Sequence, residues 1–418
     1  MPFFDGVKKK EAISWAFFDF ANSAYGLLIL SFVFPIYFKE VIAAGRYSDL
    51  WWGFAVSLSI LIGGLAAPVI GSIADYDAKR KKKFIIFSVI SMIGTASLYF
   101  TGPNMLLFSL FVFIITNIFF EIALTLYDSF LVHVSSEKNI GRISGFGWGL
   151  GYIGGIVAML AFKPLYANGF IGDLEPLYKL TFPLTALFFF IFAMPSFLFV
   201  KEHLQIKKEE PFLKIIKIGF KNTLKTLKEI KKHKKIGLFL LGFYLMNDAL
   251  VTFFSFMPIY ARTTLGISIS EISLLLLIIQ LIGFPSAVFF GWLSDKKGPK
   301  KILLSTIIVW CAIVVLAAIA ASKPVFYAAS MLIGLVIGSS QAVARSWFSK
   351  IIPKNRRCEF FGFNGFASKI AATTGPLVFG LVSSVTGNQR IAVFSLLLFF
   401  MASFLIFLKI EETQQKNN

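Results

Sequence analysis

The chain has 418 residues, of which 57% are hydrophobic and 15% are charged, and it carries a formal net charge of +19. Its mean hydropathy is +0.77. Soluble domains are about 25% charged, and a single core stops growing at roughly 250–300 residues. The composition therefore excludes one water-soluble globular domain and indicates a protein that lies in a lipid bilayer.

Twelve apolar stretches predict transmembrane helices. A bilayer hydrocarbon core of about 30 Å is crossed by about 20 apolar residues in a helix. The 50 phenylalanines suit such helices, because their side chains have no polar group to satisfy in lipid. In chain order the predicted spans are 13–38, 51–74, 84–101, 104–133, 144–162, 180–200, 236–261, 270–293, 302–321, 324–349, 360–386 and 390–409.

Basic residues predict the orientation of these spans. With both termini in the cytoplasm, 32 of the 41 Lys and Arg residues fall on cytoplasmic segments and 7 on outer segments. This is the positive-inside bias, and an error of one span would invert it over half of the chain. The charge therefore indicates topology rather than nucleic-acid binding, and the cytoplasmic lysines are expected to attract anionic lipid. We expect a multi-pass protein of a prokaryotic plasma membrane, with both termini cytoplasmic.

The longest polar segment, 201–235, separates six predicted spans from six. It contains 12 lysines, and its apolar residues recur at spacings of three and four. This pattern predicts a basic amphipathic helix on the cytoplasmic face that tethers the two halves. The predicted organisation is a six-helix bundle in 1–200, the linker in 201–235 and a second six-helix bundle in 236–418.

The two halves repeat one another at a nearly constant offset of 220 to 223 positions. The matching pairs are Pro35 with Pro258, Gly71 with Gly291, Asp75 with Asp295, and Gly155 with Gly375. The sequence therefore predicts an all-α membrane protein with twelve transmembrane helices, in two six-helix bundles related by a pseudo-twofold axis along the membrane normal. Parallel repeats of this kind are the architecture of major facilitator transporters, whose substrate site lies between the bundles near mid-membrane.

The turn after the second span, from Gly71 to Arg80, resembles the G-x-L-A-D-R-x-G-R-[KR] loop of the major facilitator superfamily, with Ala78 where Gly is usual. An acid beside a basic cluster at this position is expected to act as a charge latch that biases two states of a rocking bundle. The alternative is that the basic residues only set topology. The residues predicted to take part in gating are Asp75, Lys79, Arg80, Arg142, Asp295 and Glu359.

Several segments carry a narrower resemblance. They are SWAFFDFANSAY at 14–25, SGFGWGLGYIGG at 144–155, Asn247-Asp248, the segment 273–300, GSSQAVARS at 338–346 and EFFGFNGFASKIAATTGP at 359–376. In this order they resemble the prokaryotic "unknown major facilitator" group, which is similar to the fungal vacuolar effluxers of autophagy. The chain departs from that pattern at Ala249 and at 126–132. The resemblance implies the facilitator fold and transport, and the release of neutral amino acids by fungal members is its only hint about substrate.

Six charged residues stand out within the predicted spans, away from the span ends, namely Asp19, Glu121, Asp128, Asp248, Arg345 and Lys369. A charge at mid-span costs about 2.5–3.5 kcal/mol on insertion scales, so each of these needs a partner or a function. We expect Asp19 and Asp248 to line a central cavity, where Arg345 and Lys369 are their counter-charges or bind a substrate carboxylate. Alternatively, one acid carries a coupling proton. Asp128 is expected near the cytoplasmic end of its span, where water reaches it.

Uncharged polar side chains complete the predicted site, and Gln280 and Gln341 are the candidates for direct contact with a polar substrate. The alternative role for all of these groups is interhelical hydrogen bonding without substrate contact. The glycine run from Gly145 to Gly155 predicts that the fifth span packs closely, against the eighth span across the pseudo-twofold axis. The residues predicted to bind substrate or an ion are Asp19, Asn22, Asn247, Asp248, Gln280, Gln341, Arg345 and Lys369.

These features favour a secondary active transporter that moves a small polar solute by alternating access. An amino acid or a related metabolite is one option for the solute, and coupling to protons is one option for the driving force. A facilitator-fold receptor and a lipid or drug exporter are the alternatives. The sequence does not indicate an enzyme, because the three His residues are scattered and no G-x-x-x-x-G-K-[ST] loop occurs. We expect a monomer, without cofactor or metal.

Overall fold

A computed structural model describes residues 8–76, 79–135, 140–201, 234–352, 368–370 and 372–411. Within these residues every regular element is helical. The longer helices are α1 Lys9–Ala24, α2 Ser48–Tyr76, α3 Arg80–Ser97, α4 Leu106–Val134, α5 Ile140–Tyr166, α6 Thr181–Phe199, α7 Lys234–Thr263, α8 Ile269–Lys297, α9 Pro299–Ile319, α10 Lys323–Ile351, α11 Thr374–Thr386 and α12 Gln389–Leu408. Shorter helical turns are Leu98–Phe100, Gly172–Leu174 and Glu175–Lys179.

Eleven helical segments in the described residues are long and apolar enough to cross a membrane. They coincide with eleven of the twelve predicted spans, so the prediction of a multi-pass helical membrane protein is confirmed. The remaining predicted span, 360–386, lies partly outside the described residues, and its described part includes α11. Large apolar side chains such as Leu107, Phe111 and Leu398 are exposed on the helix surfaces, as expected for contact with lipid.

The first membrane span continues beyond α1 through irregular turns to Ile42. Tyr25–Ser31 and Phe38–Ile42 form π-helical turns, and the short helix Val33–Tyr37 lies between them. Pro35 occupies the first turn of that short helix, where its missing backbone N–H removes no helical hydrogen bond. The predicted span 13–38 lies within this segment.

The same helix pairings occur in the two halves of the chain. In the first half α1 packs against α5 and α6, α4 packs against α2 and α3, and α3 packs against α6. In the second half α7 packs against α11 and α12, α10 packs against α8 and α9, and α9 packs against α12. Each pairing in the second half is the counterpart of one in the first, six helices further on. The packing therefore follows the repeat in the sequence.

Two further pairings of longer helices join the halves, α2 with α11 and α5 with α8, and α7 also contacts the first span at Tyr25–Ser31 and Val33–Tyr37. Since α8 is the counterpart of α2 and α11 is the counterpart of α5, these two contacts are related by the same pseudo-twofold symmetry. The prediction that the fifth span packs against the eighth is confirmed. Three of the six glycines in the run face a different neighbour, however, because Gly147, Gly151 and Gly154 lie against α1, whereas Gly155 faces Gln280 of α8.

The helices alternate in direction, so the start of α1 and the end of α12 lie at one end of the bundle, the terminal end. The opposite end is called the far end below. At the terminal end, Lys235 at the start of α7 pairs with Glu411 after α12 at 3.6 Å. The predicted linker lies outside the described residues except for Lys201 and Lys234–Lys235, so its amphipathic helix and the domain boundaries remain predictions.

Candidate functional site

Asp19 lies ten residues into α1, about 15 Å from its start, and is held by an aromatic pair. Its carboxylate accepts a hydrogen bond of 2.8 Å from the Tyr127 hydroxyl. The Tyr127 ring stacks on Trp15 with the ring centroids 4.6 Å apart, and the Trp15 indole donates to the Tyr127 carbonyl oxygen. Gly147 of α5 lies beside the carboxylate, where a larger residue would collide with it. Side chains and backbone from α1, α4 and α5 therefore fix the position of this acid.

Arg345 of α10 belongs to the second half and reaches α5 of the first. Its guanidinium donates to the Ser144 hydroxyl at 3.0 Å and lies 5.9 Å from the centroid of the Trp148 ring. Within the described part of the chain, Arg345 forms no direct ion pair with an acid. Asp19 and Asp128 act on it electrostatically from a longer distance. Arg345 therefore faces the acids of the first half without being neutralised by contact with one of them.

The exposure of the charged groups indicates an opening between the halves. Asp128 and Arg345 each lie six residues, or about 9 Å, from the terminal-end limits of α4 and α10. Both side chains are exposed, and Trp148 of α5 is 53% exposed. Because these side chains interact between helices of both halves, their exposed surfaces face a shared opening rather than lipid. The exposure of Asp128 agrees with the expectation that water reaches it.

Lys369 and Glu121 form an ion pair that crosses between the halves. The Lys369 Nζ lies 2.8 Å from the Glu121 Oε2, and the two side chains are 18% and 13% exposed. The same Nζ donates to the Glu121 carbonyl oxygen at 2.7 Å and to the Thr125 hydroxyl at 2.9 Å. Gly63 and Gly64 of α2 leave room for these side chains. A Cβ at Gly63 would lie less than 3.2 Å from the Glu121 Cβ, and a Cβ at Gly64 would lie 3.2 Å from the Lys369 Cβ.

The surroundings of Asp248 differ from the prediction. Asp248 is 2% exposed, and its two oxygens accept the Gly375 amide at 2.8 and 2.9 Å. Gly375 lies in the first turn of α11, so the carboxylate caps that helix, where negative charge is favourable. The partner of Asp248 is thus a backbone amide rather than the expected counter-charge, and its position in a cavity remains a prediction. Its role in ion or substrate binding remains a prediction.

The predicted uncharged residues lie at two helix contacts. The Gln341 Nε2 of α10 donates to the Asn247 Oδ1 of α7 at 3.2 Å. Gln280 faces Gly155 where α8 meets α5. The Asn22 Nδ2 is buried without a hydrogen-bond partner among the described residues, although it lies close enough to Asp19 to influence its carboxylate. Interhelical bonding, the alternative role, is therefore what the structure shows for Asn247 and Gln341.

The predicted gating residues are only partly described. Three of them have side chains outside the described part of the chain, namely Asp75, Asp295 and Glu359. Lys79 precedes α3 and is exposed, and Arg142 is exposed in the first turn of α5. Arg80 is 7% exposed, and its guanidinium lies 5.9 Å from the Phe130 ring centroid. The charge latch at the terminal end therefore remains a prediction.

A polar cluster at the far end was not predicted from the sequence. Asp49, in the first turn of α2, is 3% exposed and accepts hydrogen bonds from Lys39, Ser383 and Gln389 at 2.5, 2.5 and 2.9 Å. These four residues are called the Asp49 cluster below. Lys39 belongs to the first half, whereas Ser383 and Gln389 belong to α11 and α12 of the second. In the sequence Asp49 is one acid in a short polar stretch beside a span, a position that is usually solvated, so no sequence signal distinguishes it.

The sequence is similar to known membrane proteins over nearly its whole length. Residues 53–418 match the model of a family described as vacuole effluxer Atg22 like. The chain is 30% identical over 423 residues to an uncharacterized MFS-type transporter, YxiO, of Bacillus subtilis, with 98% of each chain covered. It is 24% identical over 319 residues to autophagy-related protein 22 of Yarrowia lipolytica, which covers 67% of this chain and 52% of the fungal protein.

Solved structures share the fold. The nucleoside transporter NupG has a TM-score of 0.72 at 15% identity, and the match covers 96% of this chain and 100% of that chain. The xylose transporter XylE of E. coli, in a partially occluded inward-open conformation, has a TM-score of 0.67 at 14% identity, covering 99% and 100%. At such identities the likeness shows the fold alone. The predicted twelve-helix facilitator fold is confirmed.

Proposed function

The chain belongs to the vacuole effluxer Atg22-like family and is a transporter of the major facilitator type, and from this premise we propose that it moves a small polar solute across the membrane by alternating access. The observation that carries the proposal is the group of opposite charges where the halves meet. Asp19 and Asp128 come from the first half and Arg345 from the second, and their charges act on one another. A solute bound among them contacts both halves, as alternating access around a fixed site requires.

Arg345 is the residue best suited to bind a carboxylate. A guanidinium presents parallel N–H donors that match the two oxygens of a carboxylate. The described bond from Arg345 to the neutral Ser144 hydroxyl uses one nitrogen and leaves other donors for a ligand. Trp148, which is 53% exposed, offers an apolar face beside the guanidinium. The solute class that fits is a small carboxylate with an apolar part, such as an amino acid or a related metabolite.

Asp19 is the acid best placed to carry a coupling proton. Its hydrogen-bond partner is the neutral Tyr127 hydroxyl rather than a cation. A carboxylate among apolar helices is costly to keep charged when no cation contacts it, so proton binding at this position stabilises the buried group. Glu121 is less suited to this role, because Lys369 holds it in a direct ion pair.

The proposed location is the plasma membrane of a prokaryote, with the terminal end in the cytoplasm. The positive-inside bias supports this orientation, and the similarity to a Bacillus subtilis transporter supports a bacterial membrane. The basic residues of the terminal end would then lie against anionic lipid. The protein would act as a monomer, because each chain holds both halves of the site.

Flux through purified protein in proteoliposomes tests the function. A thermal-shift screen of the detergent-purified protein against small carboxylates first identifies a solute, since a ligand that binds the folded state raises the Tm. The stabilising solute is then supplied in radiolabelled form to proteoliposomes. We expect saturable flux without any added soluble factor. A solute that binds and is never transported would contradict the proposal and favour a receptor.

Two variants separate solute binding from proton coupling. Arg345→Gln is expected to weaken solute binding about tenfold or more, which corresponds to about 1.4 kcal/mol. The control is Lys323→Ala, which removes a cation from the surface pair with Glu271 and should leave solute binding unchanged. Asp19→Asn is expected to keep solute exchange but to lose its response to a proton gradient. An Asp19→Asn protein that responds to the gradient as the parent does would exclude this residue as the proton carrier.

A further inference from the structure

The far ends of the two halves are joined through one buried carboxylate. In the Asp49 cluster, Lys39 neutralises Asp49 from within the first half, and Ser383 and Gln389 donate to it from the second half. The α2 and α11 backbones approach closely here, because a Cβ on Gly380 would lie 2.5 Å from the Asp49 carbonyl oxygen. The two halves are thus in contact at the far end through bonds that centre on Asp49.

Two contacts flank the cluster and also cross between the halves. Arg46, just before α2, donates to the carbonyl oxygens of Ser384 and Val385 at 3.0 and 2.9 Å. These carbonyls belong to the last turns of α11, where a positive charge is favourable. Arg262 at the end of α7 pairs with Glu40 of the first span at 3.0 Å. The Asp49 cluster is therefore the buried centre of a larger polar contact.

We propose that the Asp49 cluster is a latch that holds the far end of the transporter closed, with Asp49 as the acceptor that both halves share. Hydrogen bonds to a buried charge are stronger than those between neutral groups, and their loss leaves that charge without partners. Gln389 is itself oriented, because its Oε1 accepts from the hydroxyls of Thr263 and Thr264 at 2.9 and 2.5 Å. The latch thus connects α2 to the ends of α7, α11 and α12 at once.

A polar recess makes such a latch reversible. A recess of about 570 Å³ lies over the cluster, and its lining includes Arg46, Thr263 and Asn388. Water entering through it can solvate Asp49 and Lys39 when Ser383 and Gln389 move away with the second half. The separated groups then exchange protein partners for water, so the open state does not retain an unsatisfied buried charge.

The sequence repeat supplies a matched control position. Glu271, in the first turn of α8, lies 222 positions after Asp49, between the repeat offsets of 220 and 223. Its bonds stay within the second half, where it accepts from the Ser268 amide, the Lys323 amine and the Tyr327 hydroxyl. Glu271 therefore has the same charge and the same place in the fold as Asp49, but it holds no contact between the halves.

Distance measurements between spin labels at the far end test the latch. Labels are placed at Tyr47→Cys and Val385→Cys, two exposed positions on opposite sides of the contact, after the native Cys311 and Cys358 are replaced by Ser. The parent should give a short label-to-label distance. Asp49→Asn should add a longer component and raise the ratio of open to closed molecules about tenfold or more, which is ~1.4 kcal/mol. Glu271→Gln should leave the distribution unchanged.

A second variant keeps the test decisive. Ser383→Ala with Gln389→Ala removes the bonds from the second half but leaves the Lys39–Asp49 pair, so it decides the outcome if Asp49→Asn does not fold. The latch is overturned if the folded variants give the parent distribution, or if Glu271→Gln produces the same shift. The proposal rests on alternating access, but the measurement needs no solute. If the proposed solute class is wrong, the label-to-label distances still change as expected. If the latch proposal is wrong, the distances stay unchanged while solute binding is unaffected.

Discussion

Asp248 and Lys369 show how single residues acquire their partners in this protein. Both were expected at one central site because a charge within a membrane span needs a partner. The partner of Asp248 is the Gly375 amide, and that of Lys369 is Glu121. A backbone amide at the start of a helix can be the partner of an acid in place of a cation. A buried charge therefore predicts that a partner exists without predicting its kind.

At the residue scale, the cap of α11 predicts a graded loss of stability at Asp248. Asp248→Ala leaves the buried Gly375 amide without an acceptor, which costs about 1–3 kcal/mol, whereas Asp248→Asn keeps one carbonyl oxygen in place. Thermal unfolding of the purified variants should show a clearly lower Tm for Asp248→Ala than for Asp248→Asn. Equal melting temperatures for the two variants would argue against the cap.

At the scale of elements, the glycines of α5 explain how three helices approach one another. A helix that must pack against α1 on one side and α8 on another has little room for side chains at those contacts. Gly154 lies against the backbone of Phe20, and Gly155 lies against Gln280 and Leu27. Gly145, in contrast, is exposed and has no neighbour within 4 Å. The glycine run therefore contains positions that packing requires and positions that it does not.

This difference predicts opposite effects of the same substitution. A Cβ at Gly154 would overlap the Phe20 backbone, so Gly154→Ala should force α1 and α5 apart at a cost of about 1–3 kcal/mol. Gly145→Ala should raise stability slightly, because Ala is the better helix former by up to ~1 kcal/mol. Thermal unfolding of both variants measures the difference. A Gly154→Ala protein as stable as Gly145→Ala would contradict the close α1–α5 contact.

At the scale of the whole molecule, the halves meet through paired helices and through charges that cross between them. The contacts of α2 with α11 and of α5 with α8 preserve the pseudo-twofold symmetry. The polar contacts do not, because Asp49 bonds across the halves and its counterpart Glu271 bonds within one. The duplicated fold thus supplies the symmetric scaffold, and individual side chains make its two halves different.

The pair of Lys369 and Glu121 predicts strong coupling between the halves. Lys369→Met leaves Glu121 buried without its cation and should cost about 3–5 kcal/mol, whereas adding Glu121→Gln removes the stranded charge and should recover much of that loss. Thermal unfolding of both single variants and the double variant gives the coupling directly. Additive losses would show that the two side chains do not form a pair in the folded protein.

The sequence by itself determined the membrane environment, the number and order of the spans, the repeat and the family resemblance, which the comparisons confirm. These properties follow from span length and from matching segments, which can be read along the chain. It also singled out Glu121, Arg345 and Lys369, which contact the other half, because a charged residue within an apolar span stands out wherever it lies.

Only the tertiary structure decided which groups meet. In the sequence, Lys369 lies 248 positions from its partner Glu121, Gly375 lies 127 positions from Asp248, and Ser383 lies 334 positions from Asp49. Partners so far apart are brought together by helix packing, and no local pattern encodes that packing. Asp49 in particular has the sequence context of a solvated loop residue. Where α2 packs against α11, the Asp49 carboxylate is buried away from water. It therefore accepts hydrogen bonds from side chains of both halves.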